Sequence, residues 1–216
     1  MRLLVLGASG GIGSWLVRLA AERGHEVTAL ARQTATLNAP SPVRVVRGDA
    51  TDPHVLAAAV RDQDAVASCL GLRRAGASPW AALRSPPDLV ESVTRALVPA
   101  MERAGVRRLV AVSAGGVGDS FAQLTGPVRW LVTRGNVAVA YRDLERMEAV
   151  LRGSAIDWLA VWPVTLAHGA PTGRARPVAK YTMMSRVRRG DVAAWMLDAL
   201  ERPGTFAERT VLLGAR

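Results

Sequence analysis

Apolar residues recur along this chain in two alternating rhythms. "RLLVLG", residues 2–7, is a short unbroken apolar run, the pattern of a strand covered on both faces. Over residues 12–23, Ile12, Trp15, Leu16, Leu19 and Ala20 recur at helical spacing until Gly24 ends the helix. Strands are predicted over "HEVTALAR" (25–32), "VRVVRGD" (43–49) and "DAVASCLG" (64–71). Between the last two, "PHVLAAAV" (53–60) is a helix capped by Asp52 and opened by Pro53.

A longer helix is predicted over 87–104, kinked or shortened by Pro99, and Gly105 leads from it into a fifth strand, "RRLVAVSAGG". Residues 117–135 read as irregular, 138–154 as a helix, and "IDWLAVWP" as a sixth strand stopped by Pro163. Residues 164–180 read as a loop, "GDVAAWMLDALER" as a helix capped by Asp191, and "RTVLLG" as the last strand. Strands and helices alternate throughout, which predicts an α/β fold, a doubly wound parallel sheet with helices on both faces.

Composition narrows the function classes. At 216 residues, with no Pro/Gly/Ser-rich linker, the chain reads as one domain, 1–216. Half its residues are apolar, yet no run approaches the roughly 18 to 20 that a membrane span requires, so no membrane partner is expected. The first apolar run breaks straight into glycines, unlike a signal peptide, and the only cysteine, Cys69, has no internal disulfide partner. A cytoplasmic location is expected. The net charge of +10 comes from scattered arginine pairs (Arg73-Arg74, Arg107-Arg108, Arg188-Arg189), with Lys180 the sole lysine. That distribution argues against a specific nucleic-acid partner and leaves an anionic ligand well served. One cysteine and three separated histidines (His25, His54, His168) supply no recognisable metal-ligand set, and His168 reads as an exposed loop residue.

The candidate chemistry begins behind the first strand. "GASGGIG" spaces Gly7, Gly10 and Gly13 where a strand turns into a helix. Such a turn lets backbone approach a diphosphate closely and presents unpaired N–H groups at the helix start. At the end of the second strand, where an NAD site offers an acid to the adenosine ribose, stands Arg32. A guanidinium there pairs with a 2′-phosphate, which favours NADP(H); read alone, Arg32 is also one of many surface arginines. Asp49 is either an acceptor for the adenine amine or a turn-forming aspartate.

Together the glycine motif, "VTALAR", "VRGDATDP", "VAVSAGG", "LERMEAVLRGSAIDWLAVWP" and "SRVRRGDVAAWMLDAL" resemble an atypical short-chain dehydrogenase/reductase. The chain is similar to the NAD(P)H-binding group that includes biliverdin reductase B, a flavin reductase, and NmrA-like proteins. That resemblance covers the whole length and implies a Rossmann fold with residues about 164–190 as a substrate-side segment. It makes Gly7, Ala8, Ser9, Gly10, Gly11 and Ile12 the diphosphate turn and Arg32 the 2′-phosphate partner. It sets Asp49 and Ala50 at the adenine, and Cys69, Leu70 and Gly71 along the cofactor's middle. Pro163 and Val164 run past the nicotinamide amide, and Ser113 lies near the nicotinamide and substrate. Ser113 either supplies a hydrogen bond there or is a small residue required at a crowded strand end.

The departures are as informative. Short-chain enzymes use Tyr-x-x-x-Lys, the lysine lowering the phenol's pKa for proton transfer. Here Ala140 and Leu144 occupy those places. Tyr141, the remaining catalytic candidate, is one residue out of register, a rotation of about 100 degrees that turns it elsewhere. Arg142, Arg146 and Glu148 are not obvious substitutes. The tryptophans read as core, with Trp162 as an apolar wall beside the nicotinamide.

Without the usual relay, a conjugated acceptor such as a flavin, quinone or tetrapyrrole takes hydride directly and its proton from water. The expected function is an NADPH-dependent oxidoreductase of that kind, acting on a small molecule as a monomer or homodimer. The alternative is a non-catalytic NADP(H)-binding redox sensor of the NmrA-like type. Sugar-nucleotide isomerase chemistry is disfavoured, since it needs the missing base.

Overall fold

In β1 (Arg2–Leu6), Leu3 and Val5 point into one apolar layer while Leu4 and Leu6 point into another, and all four are fully buried. A strand covered on both faces has to be apolar at every position, which is why its sequence does not alternate. The computed structural model of the chain describes residues 1–37, 40, 42–76 and 78–215.

Five further strands continue the parallel ladder: β2 (Glu26–Ala31), β3 (Val43–Arg47), β4 (Ala65–Ser68), β5 (Arg108–Val112) and β6 (Asp157–Pro163). Beyond them come β7 (Thr165–Ala167), β8 (Ala175–Pro177), β9 (Arg186–Arg188) and β10 (Thr210–Ala215). The main sheet runs β3-β2-β1-β4-β5-β6-β10-β8, with only β8 antiparallel, and β7 pairs with β9 in a separate ribbon. This is a Rossmann-type doubly wound α/β fold.

The helices are α1 (Gly13–Glu22), α2 (Pro53–Val60), α3 (Leu89–Ala104), α4 (Gly126–Val132), α5 (Gly135–Arg152) and α6 (Arg189–Glu201). One layer is closed by α1 and α6 through Leu16, Val17, Met196 and Leu197. The other is closed by α2, α3 and α5 through Leu56, Leu97, Met101, Met147 and Leu151. Each such leucine contributes roughly 1.5–3 kcal/mol by leaving water. Because the chain runs from β1 outward through β2 to β3 and then crosses back to β4 on the other side of β1, the strand order reverses there. A crevice opens beyond the carboxyl ends of these strands, where Leu6 stands level with Leu30 and Ser68.

Several expectations need correction. Helix α3 runs through Pro99 to Ala104, because its apolar face, from Val90 to Met101, packs between α2 and α5. Its first turn is held by Asp143 of α5, which accepts from Val90 N at 3.0 Å and Glu91 N at 2.9 Å. Asp191 does not cap the last helix, which begins two residues earlier. Its carboxylate instead receives Gly173 N at 2.9 Å and Thr172 Oγ1 at 2.9 Å, clipping the preceding loop to α6. The stretch 117–135 contains a 3-10 turn (Gly118–Gln123) and α4, and the 164–180 loop contains β7 and β8. Both segments are too short for periodicity to register. Asp52 does cap α2, accepting from His54 N at 2.8 Å.

Candidate functional site

The glycine turn is built by close approach. Gly7 has φ +71°, and a Cβ there would stand 2.7 Å from the Cys69 carbonyl at the end of β4. A Cβ at Gly13 would stand 2.2 Å from the Gly7 carbonyl, so α1 seats directly on the turn. No side chain caps α1 and no acid lies in its first turn, which leaves the positive end of the helix open to an anion.

The third glycine reveals a residue that sequence reasoning missed. A Cβ at Gly11 would meet Arg189 Cδ at 2.5 Å and Nε at 2.9 Å, so the bare turn is what lets Arg189, from the start of α6, lie across it. Its Nη1 is buried and has no partner among the described residues. An unpaired guanidinium nitrogen over free helix N–H groups fits a diphosphate. Only its place in an arginine pair ahead of a helix signalled it.

Two adjoining hollows make one crevice. The smaller, about 260 Å³, is lined by Gly7, Gly48, Asp49, Ala50 and Thr51. The larger, about 800 Å³, extends past Ser113, Ala140, Tyr141 and Leu144. Ser9, Gly10, Arg32, Cys69, Leu70 and Gly71 line both, and Gly11 and Ile12 line the larger. Arg32 stands exposed at the end of β2, where Arg47 steadies the following turn by donating to the Arg32 carbonyl at 3.1 Å. The Asp49 carboxylate accepts from Thr51 N at 2.9 Å, and that bond, aided by Arg32, holds its pKa below the usual range. Burial pushes the Cys69 thiol up to about 12, so it lines the crevice as an uncharged group. The larger hollow carries four arginines, Arg32, Arg73, Arg74 and Arg189, and no carboxylate.

The remaining expected residues divide. Ala8, Pro163 and Val164 are buried and line neither hollow; Leu166 of β7 forms the nearby wall. Tyr141 does border the crevice, although its hydroxyl is turned away and donates to the Gly115 carbonyl at 3.0 Å. Burial raises its pKa well above that of a free phenol. His168 is exposed and lines neither hollow.

Trp162 is not a wall of the crevice. It lies behind Ser113 and donates Nε1 to Glu148 Oε1 at 2.7 Å, while Ser113 Oγ donates to the same oxygen at 2.6 Å. Glu148 is fully buried, and its Oε2 lies 3.6 Å from the Arg152 guanidinium without a hydrogen bond. Burial raises its pKa, although the bonds from Ser113 and Trp162 oppose the shift. A glutamate one turn beyond Leu144, in a face that also carries Met147 and Leu151, was the signal that the sequence offered.

Among the described residues no cluster of His, Cys, Asp and Glu is arranged for a metal, and no helix is long and apolar enough to cross a membrane. A family described as NAD(P)H-binding matches over residues 7–203. A 3-diazoavenalumate denitrifying reductase from a Streptomyces species is 34% identical over 183 residues, which are 82% of this chain and 59% of that protein. The chain therefore spans less than two thirds of that relative's length. ChuY, an anaerobillin reductase from Escherichia coli O157:H7, superposes with a TM-score of 0.76 at 27% identity, covering 99% of this chain and 96% of that one. A short-chain dehydrogenase/reductase from Veillonella parvula in complex with NADP shares the fold, with a TM-score of 0.77 at 20% identity over 99% of this chain and 94% of that one.

Proposed function

The chain belongs to the NAD(P)H-binding family, and we propose that within it this protein is an NADPH-dependent reductase transferring hydride to a small conjugated acceptor, such as a flavin, quinone or tetrapyrrole. The observation that carries this reading is the crevice itself, which joins the glycine turn and Arg32 to Ser113 and whose larger hollow holds four arginines and no acid. The cofactor fits what is present: a turn that a Cβ would fill, and the orphaned Arg189 Nη1 above it.

In this reading α1 and Arg189 bind the diphosphate, Arg32 takes the 2′-phosphate, and Asp49 with Ala50 borders the adenine. When bound, NADPH supplies the hydride. The chain's own work is to align two flat rings and exclude water beside Ser113, Tyr141 and Leu144. Arg74, whose Nη1 donates to the Ser78 carbonyl at 2.8 Å, leaves positive charge at that end and favours acceptors bearing phosphate or carboxylate. Residues 164–190 close the substrate side through Leu166. The Streptomyces relative and ChuY, both named as reductases, support the reaction class.

The second reading is a redox sensor without turnover, and what favours it is that Ala140 and Leu144 stand where a phenol and a lysine would act. One experiment separates the two. Pure protein with NADPH and FMN, FAD, a quinone or biliverdin is expected to lose nicotinamide absorbance. Tight NADPH binding with no turnover on any acceptor overturns the reductase and leaves the sensor.

A further inference from the structure

We propose that Glu148 holds the proton for the reduction and passes it through Ser113 Oγ to the acceptor, taking the place of the tyrosine and lysine that α5 lacks. The inference rests on the reductase reading above.

The geometry is directional. Ser113 borders the crevice, whereas Glu148 is fully buried behind it, and 2.6 Å separates Oγ from Oε1. Ser113 is thus the contact between the reaction space and a carboxyl that solvent does not reach. Trp162 Nε1 holds the same oxygen at 2.7 Å from β6, which fixes Oε1 opposite the serine. Ala140, Leu144 and Glu148 follow one another at four-residue spacing on α5, so the carboxyl stands one turn past the expected lysine place. The charged groups facing it are Arg152 on its own helix, 3.6 Å from Oε2, and Asp119 on the 3-10 turn. They oppose each other, and burial is the larger influence, favouring the protonated acid.

With the carboxyl protonated, the contact runs from Glu148 to Ser113, and the serine hydroxyl is free to donate into the crevice. The acceptor gains a hydride, with its two electrons, and one further proton, and NADP+ is left behind. The acceptor atom that becomes negative takes the Ser113 Oγ proton, and Oγ takes the Glu148 proton. Glu148 remains a carboxylate, stabilised by Trp162 Nε1–H and Arg152, until, once the product has left, water in the crevice returns a proton through Ser113 Oγ. Ser113 is the catalytic residue of this step and Glu148 a positioning residue behind it.

The test uses the full chain and two kinds of measurement. Infrared difference spectra of wild type and Glu148→Gln, without cofactor, are expected to contain a protonated carboxyl band in the wild type that persists above the pH at which ordinary carboxylates have ionised and that the variant lacks. Trp162 emission should titrate with it, and Trp162→Phe should remove that titration. In turnover, Glu148→Gln and Ser113→Ala should each lower kcat by about 100-fold with NADPH affinity unchanged. The wild-type rate should fall as pH rises through the Glu148 titration, a limb absent from both variants. Should Glu148→Gln not fold, Ser113→Ala carries the same test. Wild-type kcat and pH profile in these variants, or no protonated carboxyl above the ordinary carboxylate range, overturns the relay and leaves the reductase reading standing. A wild type that binds NADPH and reduces nothing overturns that reading and the relay together.

Discussion

Arg189 lies across Gly11, its Cδ 2.5 Å from where a Cβ would be, so the glycine turn is open to phosphate and also to a guanidinium from the far end of the chain. Gly11→Ala is expected to push Arg189 aside and weaken NADPH binding by about tenfold, roughly 1.4 kcal/mol. Arg189→Gln should weaken it by about 10- to 100-fold, since it removes a charge-assisted hydrogen bond. Quenching of tryptophan fluorescence by NADPH measures both, and unchanged affinity in Arg189→Gln would remove that residue from the site.

Selection between the two nicotinamide cofactors falls to Arg32. Arg32→Ala should cost NADPH roughly 10- to 100-fold in affinity and NADH less than about threefold. Paired titrations with the two cofactors give the ratio directly, and equal losses would mean that Arg32 does not contact the 2′-phosphate.

Glu148 also leaves a mark on stability. Its carboxyl is raised by burial in the folded chain, so between the ordinary carboxylate pKa and the raised one the native state binds a proton that the unfolded state has released. Its contribution is therefore present at low pH and lost as pH climbs through that window. Asp143, raised chiefly by desolvation, acts in the same direction. Thermal melts across mildly acid to mildly alkaline pH should show Tm falling with rising pH, and less steeply in Glu148→Gln.

Asp143 anchors two helices to each other. Asp143→Ala leaves Val90 N and Glu91 N without their acceptor and should destabilise the protein by about 2–4 kcal/mol, read from urea midpoints. A loss under about 0.5 kcal/mol would mean that water replaces the carboxylate at no cost.

The clip at Asp191 concerns the substrate side. Asp191→Ala frees Thr172 and Gly173 and should cost about 1.5–3 kcal/mol, with new proteolytic cleavage between residues 170 and 180. Unchanged protease resistance would show that β8 holds the segment by its pairing with β10 alone.

What the sequence determined by itself was local. The unbroken apolar run of β1, the helical spacing of α1, the Asp52 cap and the bare turn at Gly7 each arise from neighbours a few residues apart, and backbone sterics with burial of one face suffice to specify them. The alternation of strand and helix then left few topologies, which is why the doubly wound parallel sheet was legible, though its strand order was not. Tertiary structure decided the partners of the buried carboxylates. Asp143 reaches Val90, Glu148 reaches Ser113 and Trp162, and Asp191 reaches Thr172, each partner well separated from its carboxylate along the chain, so no spacing rule links them. Burying a carboxylate is tolerated only where donors converge, and that convergence exists only once the helices have packed on the sheet. For the same reason Glu148 looked ordinary in the sequence, and Tyr141 was legible as out of register but not as bound to Gly115.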